Sequence, residues 1–304
     1  MPESETDLVA LVIELEAAME TYIDNHLGRA IQWVALTMLS DFDADLAQTL
    51  HNADDLKPFT ISGLMRNNAL LYGDIRTGDR AWIRFTGLSA EVAKGLQAFY
   101  EQVQTELKAG QPRMIELDRI PWRVTAIHCR RTAWAGSSSY QTLIDRQTNA
   151  RPQHHLTLNF ITPTTFRSQT VNMPLPLPHL VFGSLLSRWV AFTPHRLRDL
   201  PQDQLDMFIA HHVMISQHDM KTAMLRGKQG GKEIGFTGRI TYEFAPKSDH
   251  LLKHNPELEE HLQREYAWFA RTLGLLADFA FYSSIGRKTT TGMGLACDGK
   301  ISAD

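Results

Sequence analysis

A glycine-rich stretch near the end of the chain carries residue types and spacings that point to phosphate chemistry. Between Gly286 and Gly292 stand two cations, Arg287 and Lys288, followed by three threonines, and Gly294 closes the stretch. Glycine allows positive φ angles and a close approach of another backbone. Arginine, lysine and hydroxyl donors are the groups that bind a phosphodiester. The stretch is not a Walker loop, because Arg287 separates the glycine from the lysine. The alternative is a glycine-rich hairpin with a solvated tip.

His51 is the second candidate for chemistry. The sequence predicts that it lies at or just past the C-terminus of a short helix that Asp43 caps. An imidazole can move a proton near neutral pH. Lys57, six residues later, adds a positive charge that can stabilise a developing anion. Taken alone, a histidine at a helix end is more often a surface or capping residue, and that alternative stays open on spacing by itself.

The glycine-rich stretch resembles the loop of the RAMP superfamily, the RNA-binding proteins associated with CRISPR loci. The shared pattern is glycine–apolar–glycine, five residues, then glycine–apolar–glycine, with Ser284 in place of the first glycine. Further segments resemble one family within it, the repeat-cleaving endoribonucleases known as CRISPR-associated protein six. Residues 50–60 resemble the stretch that holds the active-site histidine of that family. Residues 160–166, 175–178 and 181–185 resemble the opening of its second domain.

This resemblance implies cleavage of a CRISPR precursor transcript within its repeats, with repeat RNA as the partner and no metal ion or other cofactor. His51 matches the active-site histidine, and Lys57 matches a lysine at that spacing in some members. RNA supplies its own nucleophile, the 2′-hydroxyl, so proton transfer, charge stabilisation and in-line geometry suffice. The expected products are a 2′,3′-cyclic phosphate and a 5′-hydroxyl. The additional tyrosine of some members has no assigned position here.

Two other hypotheses are open. A non-catalytic RNA-binding subunit of a CRISPR interference complex would share the fold and the glycine loop, but would need no histidine beside a lysine. The chain could also be one module of a larger polypeptide, because some relatives are fused to reverse transcriptase and integrase modules. Other CRISPR-associated proteins are further candidate partners.

More residues are candidates for holding RNA. Arg29 opens the first predicted helix, and His26 just before it is a candidate co-catalyst with a structural role as the alternative. Residues 221–239 hold five cations against one acid and predict a β-hairpin beside the glycine loop, with a solvated face as the alternative. The expected RNA-binding set is Arg29, Lys228, Lys232, Gly286, Arg287, Lys288, Gly292 and Gly294. The tryptophans and tyrosines are expected to lie mostly in the core.

The elements that must position these residues follow a β-α-β-β-α-β order twice. In the first unit we predict strands at 8–15, 59–64, within 69–86 and at 114–129, and helices at 27–39, 43–50 and 90–107. In the second we predict strands at 155–160, 213–225 and 234–244, helices at 180–192, from near 203 and at 255–276, and last extended segments at 279–284 and 293–297. This indicates an α+β protein with two tandem ferredoxin-like (RAMP- or RRM-like) domains, residues 1–135 and 150–304.

Charge and composition indicate which half of the chain binds RNA and in which setting the protein acts. The net charge is −3, but residues 1–150 hold 14 Lys/Arg against 20 Asp/Glu, and residues 151–304 hold 17 against 14. Because phosphate contacts dominate nucleic-acid affinity, the second half, which carries the net positive charge, is expected to bind RNA. The two cysteines show no metal or redox spacing, which indicates a reducing, cytoplasmic setting. The acidic N-terminus is not a signal peptide, and Arg271 and Asp278 interrupt the longest apolar run, so no membrane span is expected.

Overall fold

The computed structural model describes residues 6–53, 56–130, 132–194, 202–227 and 231–299. The elements of the first half are β1 (Leu8–Ala17), β2 (Thr21–Ile23), α1 (Gly28–Phe42), α2 (Ala44–Asn52), β3 (Phe59–Ile61), β4 (Met65–Arg66), β5 (Ala69–Leu70), β6 (Gly73–Ile75), β7 (Arg80–Gly87), α3 (Ala90–Lys108), β8 (Met114–Leu117), β9 (Ile120–His128), β10 (Gly136–Ser138) and α4 (Tyr140–Thr148). The elements of the second half are β11 (His155–Thr164), β12 (Phe166–Ser168), β13 (Val171–Met173), α5 (Pro178–Phe192), α6 (Gln202–His212), β14 (Val213–Arg226), β15 (Lys232–Phe244), α7 (Asp249–His254), α8 (Pro256–Arg264), α9 (Tyr266–Ser283) and β16 (Ala296–Asp298).

The first sheet has the strand order of a ferredoxin-like fold. β1 lies between β7 and β9 and is antiparallel to both, while β3 and β4 pair with the other edge of β7. Alternate residues of β1 pack with α1 and α3 in one apolar core, because successive strand side chains point to opposite faces. If β1, then β3 with β4, then β7 and then β9 are counted as strands one to four of the unit, their spatial order is fourth, first, third, second.

The second sheet repeats this topology. Its order is β14-β15-β11-β16, so the second strand of the unit pairs with the third, the third with the first, and the first with the fourth. Leu156, Leu158 and Phe160 of β11 face the helices, where Phe182 of α5 and Leu276 of α9 complete the core. Two β-α-β-β-α-β units are present, and the predicted α+β class with tandem ferredoxin-like units is confirmed.

The predicted extended segment at 279–284 is wrong. α9 continues through Phe279 and Ala280 to Ser283, and it contacts strands of both sheets. A helix that is buried on nearly every side shows no amphipathic period, so its end reads as an apolar strand. The last strand is β16, which begins three residues later than expected. The segment 114–129 is also not one strand but the hairpin of β8 and β9. Among the helices of the described residues, none is both long and apolar enough to cross a membrane.

Buried polar contacts join the two halves. Arg84 of β7 is only 1% exposed, and its guanidinium donates to the carbonyl oxygens of Trp134 (2.7 Å) and Phe281 (2.5 Å), the latter near the C-terminus of α9. Burial lowers the pKa of Arg84 to about 10, so the side chain stays charged at neutral pH. Leu8 and Tyr140 belong to the same apolar cluster as the second half. The domain boundary between residues 135 and 150 stays a prediction.

Candidate functional site

His51 lies in the last turn of α2 with its side chain exposed. The helix starts where the sequence predicts, because Asp43 accepts the backbone N–H of Leu46 at 3.0 Å. Nδ1 of His51 is 3.3 Å from Oδ1 of Asn52, which also accepts from the side-chain amide of Gln48 at 3.1 Å. An amide oxygen only accepts, so this long contact is a hydrogen bond when Nδ1 carries the proton, and in that tautomer the Nε2 lone pair is open.

Lys57 contacts the backbone of His51 and not its imidazole ring. Its ammonium donates to the carbonyl oxygens of Leu50 (2.6 Å) and His51 (3.1 Å). These carbonyls belong to the last turn of α2, where no intrahelical donor remains and a cation is favourable. Lys57 therefore fixes the turn that presents His51 and adds a positive charge beside it. The structure brings the two predicted catalytic residues together, and their catalytic roles stay predictions.

The glycine-rich stretch is a packed connection between α9 and β16, so the hairpin alternative is wrong. Gly286, Gly292 and Gly294 have φ angles of +84°, +95° and +75°. A Cβ on Gly292 would lie 2.9 Å from the backbone nitrogen of Gly63 in the first half. Between the glycines, a 3-10 turn at Thr289–Thr291 packs against β3 and α1. The glycines thus allow this segment, which we call the glycine loop, to dock across both halves.

Within the part of the chain that the structure describes, each of the two cations of the glycine loop has one side-chain partner. Arg287 donates to Oδ1 of Asn172 at 2.6 Å. Lys288 has a left-handed backbone, with φ of +57°, and its ammonium pairs with the carboxylate of Glu233 on β15. Both side chains stay partly open to solvent. An arginine has five N–H donors and a lysine three, so each can bind an anionic group in addition to its present partner without leaving the loop.

A cleft of about 670 Å³ opens where the glycine loop meets the first half. Its walls come from the start of α1, the turn between β8 and β9, the ends of β14 and β15, and the glycine loop. The polar side chains that line it include those of His26, Arg29, Asp118, Glu233, Lys288 and Thr290. His51 and Lys57 do not line this cleft, although α2 and the glycine loop both pack on α1. The predicted site residues therefore fall into two neighbouring groups.

The start of α1 adds positive potential to the cleft. Arg29 is exposed in its first turn, and no side chain caps the helix N-terminus. Unpaired backbone N–H groups and the helix dipole favour an anion at such a position. Arg29 and Lys288 lie on the walls of the same cleft, so the structure brings these two predicted RNA-binding residues together.

The hairpin cations have different positions. Lys232 is exposed and is the first residue of β15, but it does not line the cleft. Its neighbour Glu233 does, because adjacent strand residues point to opposite faces. Lys228 lies outside the described residues. The hairpin itself matches the prediction, with β14 and β15 paired from Val213 to Arg226 and from Lys232 to Phe244.

His26 connects three elements around the cleft. Its backbone N–H donates to the carbonyl of Arg226 at 2.8 Å, and its Nε2–H donates to the carbonyl of Thr291 at 2.9 Å. Its Nδ1 is buried and has no hydrogen-bond partner among the described residues. Burial lowers the pKa of His26 below the usual histidine value, and the charges of Lys288 and Arg29 act in the same direction. His26 is therefore a neutral imidazole that ties α1 to the glycine loop.

The lowered pKa of His26 predicts a loss of stability in acid. The unfolded chain takes up this proton at a pKa of about 6.5, whereas the folded chain resists it, so the stabilisation is complete above that pH and is lost as the pH falls towards the folded pKa. His26→Gln keeps a donor for Thr291 but does not titrate. We expect the difference in melting temperature between wild type and His26→Gln to shrink between pH 7.5 and 5.5. A difference that is constant over that range would contradict the assignment.

Trp33 departs from the expectation that tryptophans are core residues. Its side chain is 68% exposed on α1, whereas Trp122 and Trp189 are fully buried. The sequence carries a usable signal for this position: Trp33 lies outside the apolar stripe of α1 and one turn after Arg29. It is a functional candidate that sequence reasoning missed.

Comparison with known proteins gives a consistent result. Residues 158–296 match the family model of the CRISPR-associated endoribonuclease Cas6. A Thermus thermophilus Cas6 solved as a product complex is 25% identical, with a TM-score of 0.71 over 97% of this chain and 100% of that one. Another Cas6 product complex is 26% identical, with a TM-score of 0.67 over 96% and 98% of the two chains. The substrate-mimic complex of that second protein gives 26% and 0.62 over 97% and 100%. No curated protein sequence matches the chain.

Proposed function

We propose that this chain acts as a Cas6-type endoribonuclease and cleaves CRISPR precursor RNA within the repeats, without a metal ion; the match of residues 158–296 to the Cas6 family model and the similarity to solved Cas6 structures support this. The 2′-hydroxyl of the RNA is the nucleophile, and the products are a 2′,3′-cyclic phosphate and a 5′-hydroxyl. The observation that carries this proposal is the placement of an exposed His51 and the Lys57 ammonium on one helical turn. RNA is the partner, and the solved relatives include Cas6 product and substrate-mimic complexes.

In this mechanism His51 is the general base. Its Nε2 takes the proton of the 2′-hydroxyl while that oxygen bonds to the adjacent phosphorus, and the bond to the 5′-oxygen breaks. The departing 5′-oxygen takes a proton from water. Lys57, held by two carbonyl oxygens beside His51, stabilises the negative charge that builds on the phosphoryl oxygens. Proton transfer of this kind contributes about 10²–10⁴-fold to a rate.

The cleft beside the glycine loop holds the RNA backbone. Arg29, Lys288 and the uncapped start of α1 present positive potential to it, and Arg287 extends that potential along the loop. His26 holds the start of α1 against the glycine loop through its hydrogen bond to Thr291, and so keeps Arg29 and Lys288 on the same cleft. In this proposal residues 1–135 form the catalytic domain, and residues 150–304 form the domain that carries the glycine loop and most of the RNA-binding surface, with Lys228 and Lys232 at the hairpin.

Removal of the loop cations should weaken RNA binding and reduce its salt dependence. Each phosphate contact contributes about 0.7–0.9 to the slope of log K against log salt, so Arg287→Ala with Lys288→Ala should lower the slope by about 1.4–1.8. Titration of a fluorescent repeat RNA at several salt concentrations measures this. Lys108→Ala with Lys253→Ala, two exposed cations on α3 and α7, is the matched control. An unchanged slope in the loop variant removes the loop from the interface.

A non-catalytic RNA-binding subunit is the second candidate function. Two of the three Lys57 donors already bind carbonyl oxygens of α2, which is what a purely structural lysine would do. Incubation with a labelled CRISPR repeat RNA from the chain's own locus separates the two candidates. A single cut within the repeat supports the endoribonuclease, whereas tight binding with no cut supports the non-catalytic subunit.

A further inference from the structure

Trp33 is the most exposed of the six tryptophans, all of which lie in the described residues. It stands in the middle of a regular helix, where the backbone holds it in place. Burying a tryptophan side chain is strongly favourable, so the exposed indole of Trp33 would gain free energy from a binding partner that covers it. The residues around Trp33 indicate which kind of partner fits.

The exposed stripe of α1 that holds Trp33 is otherwise polar, and the other exposed ring of this helix, Phe42 at its last residue, lies off that stripe. Arg29 precedes Trp33 by one turn, and Thr37 and Ser40 follow it on the same side. A protein-docking surface would require a contiguous apolar patch, and α1 does not present one here. A single indole beside a guanidinium that lines an anion-favouring cleft instead matches a nucleotide, with its planar base and its charged phosphate.

We propose that Trp33 is a stacking platform for one unpaired base of the bound RNA. This inference rests on the proposed RNA substrate. Arg29 binds the backbone phosphate at the mouth of the cleft, and the neighbouring base stacks on the indole one turn, about 5.4 Å, further along the helix. Every base has a π face, so the contact tolerates any sequence and positions the strand relative to the cleft.

Trp33→Ala tests the platform in the full chain. Base–aromatic stacking is worth about 1–3 kcal/mol, so the dissociation constant for a fluorescent repeat RNA should rise about 5- to 150-fold. Trp33→Phe, which retains a ring, should recover most of the affinity. The salt slope should not change in either variant, because no phosphate contact is removed, whereas Arg29→Ala should lower it by about 0.7–0.9. Bound RNA should quench indole emission in wild type, and Trp33→Phe should lose that quenching.

Controls make the outcome decisive. Val190→Ala removes another exposed apolar side chain, 63% exposed on α5, and should bind RNA like wild type. If Trp33→Ala binds within twofold of wild type while wild type cleaves the repeat, the stacking inference is wrong and the proposed function stands. An equal loss of affinity for a blunt RNA duplex, or an altered oligomeric state of Trp33→Ala, also overturns it. Wild type that neither binds nor cuts repeat RNA removes both proposals.

Discussion

Replacement of His51 by alanine should lower the cleavage rate of a CRISPR repeat RNA by about 10²–10⁴-fold and leave RNA affinity within about twofold of wild type. The side chain is exposed, and its one hydrogen-bond contact among the described residues is the long one to Asn52, so its loss should remove little packing. It does not line the cleft that we propose to hold the backbone. Single-turnover cleavage and equilibrium binding, measured on the same RNA, separate the two effects.

His254→Ala is the matched control, since His254 is also exposed in the last turn of a short helix, α7. It should cleave at the wild-type rate. Parallel losses of cleavage and affinity in His51→Ala would mean that His51 is structural. Lys57→Ala should lower the melting temperature as well as the rate, because it leaves the carbonyl oxygens of Leu50 and His51 without their donor.

Gly292→Ala should destabilise the fold by about 2–5 kcal/mol and weaken RNA binding. An alanine at φ of +95° carries about 1–2 kcal/mol of strain. Its methyl group would also lie 2.9 Å from the backbone nitrogen of Gly63, and such overpacking costs about 1–3 kcal/mol more. The glycine loop would separate from the first half and take Lys288 out of the cleft. Chemical denaturation and RNA titration measure the two consequences.

Gly78→Ala reproduces only the backbone strain of that substitution, so its comparison with Gly292→Ala isolates the overpacking. Gly78 has a similar φ of +89°, but a Cβ there meets nothing within 4 Å. It should show only the strain, and RNA binding should not change. Equal destabilisation by the two substitutions would mean that the close approach of Gly292 to Gly63 does not hold the loop in place.

Local patterns were sufficient to predict most of the fold. α3 runs from Ala90 to Lys108, close to the predicted 90–107, after Ser89, whose side chain accepts the N–H of Val92. β14 and β15 follow from alternation and from the glycines between them. The prediction fails at 279–284, because α9 is buried against both sheets and lacks a polar face. Periodicity reports only on elements with one solvent-facing side.

In the candidate site, too, contacts between residues close in sequence could be predicted, and contacts between distant residues could not. His51 and Lys57 are close in sequence, so a motif and a helix cap were sufficient to predict that the charge of Lys57 lies near the helix end that carries His51. The cleft joins residues far apart in the chain, such as His26 and Thr291, and no local signal predicts that contact or the lowered pKa of His26. The sequence indicated the glycines of the loop but left a hairpin with a solvated tip open as the alternative, whereas Thr289 between them is 2% exposed.

The central claim is that this chain cleaves repeat RNA with its own side chains and the 2′-hydroxyl. The most direct test is incubation of a labelled CRISPR repeat RNA with wild type in excess EDTA, followed by mass analysis of the upstream fragment. We predict one cut, with a 2′,3′-cyclic phosphate on the upstream fragment and a 5′-hydroxyl on the downstream one. Cleavage that returns only when magnesium is restored, or an upstream fragment that ends in a 3′-hydroxyl, would contradict the account.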